Sequence, residues 1–159
     1  MEFSLLNSEH NIALSKRGAA TQKRRPLVLV IEDDQDNLLL LYHLVTSLGC
    51  DVLLAGEGQA GLAMVKNTLP DLILLDVIMP HLSGFEVLQQ LRELPQAKSV
   101  AVVAVTGLAT SAEKQQLLQA GCCDYLCKPY LIDVLESLIC QYIPHHLQRP
   151  APLNLPIGA

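Results

Sequence analysis

Apolar and polar positions alternate in blocks along most of this chain. Short apolar runs give way to longer amphipathic stretches, and a turn signal closes most of them. LVLVI (27–31) is β-rich and apolar throughout. DNLLLLYHLVTSLG (36–49) has the length and spacing of a helix and stops at Gly49. DVLLA (51–55) predicts a second strand, and GQAGLAMVKNTL (58–69) a helix weakened by Gly61 and stopped before Pro70. LILL (72–75) predicts a third strand, followed by the helix GFEVLQQLREL (84–94), which Pro95 ends. VAVVAVT (100–106) predicts a fourth strand. SAEKQQLLQAG (111–121) is a helix that Ser111 can cap and Gly121 can close. CDYLC (123–127) is a fifth strand, and LIDVLESLICQYI (131–143) closes the series as a helix.

Strict strand–helix alternation predicts an α/β fold. The runs 72–75 and 100–105 are apolar at every position rather than every second one. Strands of that kind are covered on both faces, as in a parallel sheet with helices on either side. The expected architecture is a doubly wound, flavodoxin-like (βα)5 fold with a five-stranded parallel sheet ordered 2-1-3-4-5. Ligands of such sheets bind at the carboxyl ends of the strands, where the strand order reverses. The domain is expected over 26–143, between a flexible basic N-terminal tail (1–25) and a Pro-rich C-terminal tail (144–159). A helical turn near Phe3 to Leu6 is expected within the first tail.

Composition sharpens this picture. The 159 residues suit one domain. With no Trp, four Tyr and two Phe, the core must be aliphatic. The formal charge of −5 is unevenly spread. Residues 26–143 hold five basic and fourteen acidic side chains, a net of −9. That part is a poor non-specific binder of nucleic acid, and a divalent cation is its more natural partner. The basic run from Lys16 to Arg25 is read as a solvated tail rather than a nucleic-acid or membrane contact. Five cysteines without a Cys-x-x-Cys pair are read as small buried hydrophobes of a reducing compartment rather than a metal or redox cluster. No signal-peptide pattern and no apolar run near the roughly 18 residues of a membrane helix occurs, so a cytoplasmic protein is expected.

Candidate chemistry lies just after the strands. The first is followed by Glu32-Asp33-Asp34, the third by Asp76, the fourth run closes on Thr106-Gly107, and the fifth is followed by Lys128-Pro129. In the order 2-1-3-4-5, the acids of strands one and three meet in one crevice, with Thr106 and Lys128 approaching from the other side. Packed carboxylates repel one another in a low-dielectric site. A hard cation with oxygen ligands, Mg²⁺, makes them tolerable and keeps an open side. A lysine and a hydroxyl remain to hold an anion. Phosphoryl fits, with Asp76 as the covalent acceptor. Lys128 and the metal would offset charge on the transferred oxygens. Met79-Pro80 stiffens the loop after Asp76, and Gly84 relieves crowding before the next helix. Asp34 and Asp36 are read as serving the first helix's N-terminus. His43, His81, His145 and His146 are read as exposed residues without a phosphoryl role.

At this point the sequence resembles the receiver domain of two-component response regulators. The resemblance covers about 26–143 and rests on four ordered motifs. They are the acidic group in VLVIEDDQDN, the D-x-x-M-P-x-x-x-G-x-E pattern from Asp76 to Glu86, AVTG and DYLCKP. The spacings from Asp33 to Asp76 (43), Asp76 to Thr106 (30) and Asp76 to Lys128 (52) are similar to the family's. The resemblance implies that Glu32 and Asp33 are metal-site acids, with Asp33 the direct ligand. It implies that the Ile78 carbonyl is a further ligand and that Asp76 is phosphorylated. Thr106 would be the switch hydroxyl, Lys128 the phosphoryl partner and Tyr125 the switching aromatic. A cis bond before Pro129 is also implied. A histidine kinase or phosphotransfer protein would be the donor. The last two helices and the strand between them would bind a downstream protein target, or a second copy as a homodimer. Ile78 and Leu108 depart from the family's common polar choices beside the path of the attacking water, which implies slow hydrolysis. With only sixteen residues after Ile143, a stand-alone regulator is expected.

Three other readings compete. An aspartate-nucleophile phosphatase would place a second acid where Ile78 stands. A degenerate receiver acting as a constitutive interaction module would have no need of Glu32, Asp33, Asp76, Thr106 and Lys128. A flavin-binding protein of this architecture would need a phosphate-cradling loop where Asp-Asp-Gln-Asp stands.

Overall fold

The computed structural model describes residues 24–107 and 110–143. The expected readings of residues 1–23 and 144–159, and of Leu108, His145 and His146, lie outside them. Among the described residues five strands and five helices alternate. They are β1 (Leu27–Ile31), α1 (Gln35–Ser47), β2 (Asp51–Ala55), α2 (Gly58–Asn67), β3 (Leu72–Leu75), α3 (Gly84–Glu93), β4 (Ala101–Thr106), α4 (Ser111–Gln119), β5 (Asp124–Cys127) and α5 (Ile132–Tyr142). A short 3₁₀ turn, Pro95–Ala97, joins α3 to β4, with its proline at the first position where no N–H is needed. The sheet is parallel, with the order β2-β1-β3-β4-β5.

The apolar strands divide their side chains between two cores because successive residues point to opposite faces. Leu29, Ile31, Ile73, Leu75, Val102 and Ala104 meet α2, α3 and α4 on one face. Val28, Val30, Leu72, Leu74, Val103 and Val105 meet α1 and α5 on the other. Every residue of β1 and β3 is buried. β5, at the sheet's edge, is only half-buried at all four positions.

Local signals fix the helix starts. Asp34 caps α1 by accepting from the Asn37 N–H at 2.9 Å. Ser83 and Glu86 form a reciprocal capping box on α3, so the glutamate of the D-x-x-M-P-x-x-x-G-x-E pattern is a helix cap. These bonds hold the Glu86 carboxyl below its ordinary range. On α4 the cap is Thr110, boxed with Glu113, and Ser111 is the first helical residue. This corrects the expectation of a Ser111 cap: only Thr110 has a partner glutamate three residues on.

Arg24 also departs from the sequence reading. Assigned there to the tail, it makes a two-pronged contact with Asp71, both bonds 2.7 Å. Asp71 in turn accepts from the Leu27 N–H at 2.7 Å, so this contact fastens the chain just before β1. The cysteines split as well. Cys50 and Cys122 are buried as expected, but Cys123 and Cys140 are exposed and Cys127 is half-buried. Among the described residues all are free thiols. No helix among them is long and apolar enough to cross a membrane.

Candidate functional site

The site grows out of two adjacent strand ends. β1 and β3 pair with Ile31 opposite Leu75. The ladder continues one step further, because the Asp76 N–H donates to the Ile31 carbonyl at 2.9 Å. Glu32 is held from the other side, its N–H donating to the Ala55 carbonyl of β2 at 3.0 Å. Glu32 and Asp76 therefore emerge side by side with their backbones fixed. Both are nearly fully buried, at 1% and 5% exposure. Asp33, the next residue along, is exposed.

Glycine is required where α3 meets this corner. A Cβ on Gly84 would stand 2.5 Å from the Asp76 carbonyl oxygen and 2.5 Å from the Val77 Cα. Both are backbone atoms and cannot yield. The Gly84 N–H donates to the Val77 carbonyl at 2.9 Å, which ties the start of α3 to the residue after Asp76. Between them the loop turns through Pro80 and His81, whose φ of 66° lies in the left-handed region. The Ile78 N–H donates to Asp76 Oδ1 at 3.1 Å, so one carboxylate oxygen is pinned by its own loop. The Ile78 side chain points outward and is 57% exposed.

Lys128 reaches the acids from the far edge. Its Nζ donates to Glu32 Oε2 at 2.7 Å and to Asp76 Oδ2 at 3.4 Å. Its backbone N–H donates to the Thr106 carbonyl at 2.8 Å, and the Lys128–Pro129 peptide is cis, as the resemblance implies. Thr106 closes β4, is fully buried, and pairs with Cys127 immediately before Lys128. Tyr125 pairs with Ala104, two residues before Thr106. The period of two places Tyr125 and Thr106 on one face of the sheet as diagonal neighbours. The Tyr125 ring is half-buried against the core on that face.

The electrostatics follow from burial. Loss of water pushes the Glu32 carboxyl up to about 7. The Lys128 hydrogen bond works against that rise and the Asp76 charge adds to it. Burial lowers the Lys128 ammonium, but its bond to Glu32 and the two nearby carboxylates leave it raised overall. One ammonium thus serves two buried acids. Glu32, Asp33 and Asp76 can each present an oxygen, with these atoms all within 4.8 Å of one another. An all-oxygen donor set with an exposed member suits a hard divalent ion that keeps waters. Among the described residues no other group of three such ligands occurs.

The model of the response regulator receiver domain matches residues 28–139. The chain belongs to this family. Receivers are signalling modules, and the fold of this one agrees with that of its relatives. It is 38% identical over 102 residues to the response regulator PleD of Caulobacter vibrioides. That match covers 64% of this chain and 22% of PleD, so the chain spans about a fifth of that relative's length. The Vibrio cholerae chemotaxis protein CheY4 superposes with a TM-score of 0.72 at 25% identity, covering 75% of this chain and 99% of CheY4. The receiver domain of the sensor histidine kinase PA1611 of Pseudomonas aeruginosa superposes with a TM-score of 0.69 at 27% identity. That match covers 74% of this chain and 97% of the other, whose active-site cleft holds a magnesium ion.

The structure brings Glu32, Asp33, Asp76 and Lys128 into one cluster and ties Thr106 to Lys128 through the backbone. The Ile78 N–H bond to Asp76 was not foreseen, since the sequence reading treated only that residue's carbonyl and side chain. Also unforeseen was Lys114, whose Nζ lies over the Tyr125 ring, 5.0 Å from its centroid. The available signal was its place three residues before Leu117 on α4.

Proposed function

We propose that this receiver is a phosphorylation-controlled switch whose acceptor is Asp76. The observation that carries the reading is the single Lys128 ammonium shared between buried Glu32 and Asp76, beside a three-carboxylate oxygen cluster. That set suits a transferred phosphoryl group: a fixed nucleophile, a cation for its oxygens and room for a metal.

In this reading Asp33, Asp76 and the Ile78 carbonyl would hold Mg²⁺, with Glu32 supporting the acidic end. Bound there, it would neutralise charge on the phosphoryl oxygens. Asp76 Oδ2 attacks the phosphorus of a phosphohistidine on a histidine kinase or phosphotransfer protein. An O–P bond forms as the N–P bond breaks, and the imidazole leaves with the electron pair. Lys128 exchanges Asp76 for a phosphoryl oxygen. Oδ1 stays on the Ile78 N–H, so the acceptor keeps its orientation through the transfer. Thr106 turns its hydroxyl to the new group and Tyr125 follows, being on the same face. The contact with phosphoryl in one state and not the other supplies the bias.

The readout surface would be α4, β5 and α5. Leu118, Leu131, Ile132 and Val134 are 47%, 72%, 48% and 43% exposed there and offer apolar contact to a protein target or a second copy. The apolar Ile78 side chain at the mouth would slow water attack and lengthen the phosphorylated state. The domain limits of 26–143 and a cytoplasmic location complete the reading.

Incubation with Mg²⁺ and acetyl phosphate, followed by intact mass, tests it. One phosphoryl adduct is expected on the wild type and none on Asp76→Asn. An unmodified wild type under Mg²⁺ saturation would contradict the switch and favour a constitutive interaction module.

A further inference from the structure

We infer that Lys114 is a positioning residue for Tyr125, holding its ring in the resting arrangement and so setting how readily the switch turns. The inference rests on the switch role proposed for Tyr125. Leu117 is the one buried residue of α4. Lys114 stands three residues before it, which places the two on one helix face. The matching place on α3 holds Leu88 ahead of Leu91, both fully buried. On α4 a charged side chain takes that inner position and is half-buried there.

The Lys114 Nζ lies over the face of the Tyr125 ring, 5.0 Å from its centroid, within the range at which a ring attracts a cation. The lysine's backbone is fixed in the first turn of α4. Its N–H donates to the Thr110 carbonyl at 3.1 Å, inside the turn closed by the Thr110–Glu113 box. In the proposed switch, a ring that turns toward Thr106 would give up this contact. Lys114 thus favours the resting ring and opposes the switched one, and it ties the pose of α4 to the state of Tyr125.

The test is the side-chain χ1 population of Tyr125, read from scalar couplings in protein carrying ¹³C-labelled tyrosine. Wild type, Lys114→Met and Lys114→Arg are compared without phosphoryl donor. Lys114→Met keeps the stem and removes the charge. It should raise the minor rotamer about two- to fivefold, as loss of one exposed cation–π contact implies. Lys114→Arg should restore the wild-type populations. Unchanged populations in Lys114→Met would overturn the inference. So would equal shifts in both variants, because packing rather than charge would then set the ring. A separate arm adds Mg²⁺ and beryllofluoride to the wild type. A Tyr125 rotamer that does not respond there contradicts its switch role, and with it the regulatory meaning of Lys114, whatever the comparison of variants shows.

Discussion

The two sides of the crevice are built differently. On the β1–β3 side every strand residue is buried, both acids continue the sheet's hydrogen bonding, and Gly84 packs against the backbone of Asp76 and Val77. On the β4–β5 side the edge strand is half-buried throughout, and α4 anchors itself by Leu117 alone among its residues. In the proposed switch the acceptor needs a fixed carboxylate, because misplacement of a nucleophile costs rate steeply. The elements proposed to respond would need a second arrangement close in free energy, which a tightly packed core does not allow. One sheet meets both demands by grading burial from its centre to one edge.

Equivalent truncations should expose the grading most strongly. Leu75→Ala, in fully buried β3, should cost about 4 kcal/mol of unfolding free energy in urea titrations, as for other large-to-small core changes. Leu126→Ala, in half-buried β5, should cost about 1 kcal/mol. Equal losses would break the comparison.

Next in size is Lys128→Met. It leaves Glu32 and Asp76 buried together without a cation. Adduct formation from acetyl phosphate should slow about a hundredfold, the scale for loss of one positioned charge-stabilising donor.

The proton on Glu32 sharpens the contrast between metal-free and metal-bound forms. Its carboxyl titrates near 7 in the folded protein, against an ordinary value of 4.5. The folded state then holds a proton that the unfolded chain has lost. The stability this contributes is fully present below 4.5 and falls as pH rises to about 7. Metal binding runs the other way, because it needs the ionised carboxylates. Mg²⁺ affinity, measured by calorimetry, should rise about tenfold from pH 6 to pH 8 as that one group ionises. A flat affinity would show that Glu32 does not titrate in this window.

The smallest effect concerns Ile78 at the mouth. Ile78→Asn should speed loss of the phosphoryl group about fivefold, roughly the worth of one hydrogen bond to the attacking water. An unchanged decay rate would sink the proposed shielding role of this side chain.

Much of this was legible in the chain. The all-apolar runs at 72–75 and 100–105 announce strands covered on both faces, and single polar residues after such runs announce the crevice. Asp76, Glu32 and Lys128 could be picked out because polar groups break an apolar pattern only where something holds them. Contacts that depend on distant partners were less visible. Arg24 looks like one more residue of a basic run until its partner Asp71, 47 positions away, is brought beside it. Thr110 and Ser111 both suit a cap, and the Glu113 carboxylate decides between them. Lys114 reads as a solvated helix residue because the ring that faces it belongs to a strand eleven positions on. Cys123 and Cys140 looked like core, since residue type alone does not tell the bend before a strand or a helix's outer face.

The central claim is that phosphoryl on Asp76 reorganises one side of the crevice and leaves the other alone. Hydrogen exchange of the whole chain with Mg²⁺, before and after acetyl phosphate, reads this directly. The account predicts altered protection in β4, α4, β5 and α5, with β1 and β3 unchanged. Equal changes on both sides, or none on a protein shown by mass to carry the adduct, would contradict it.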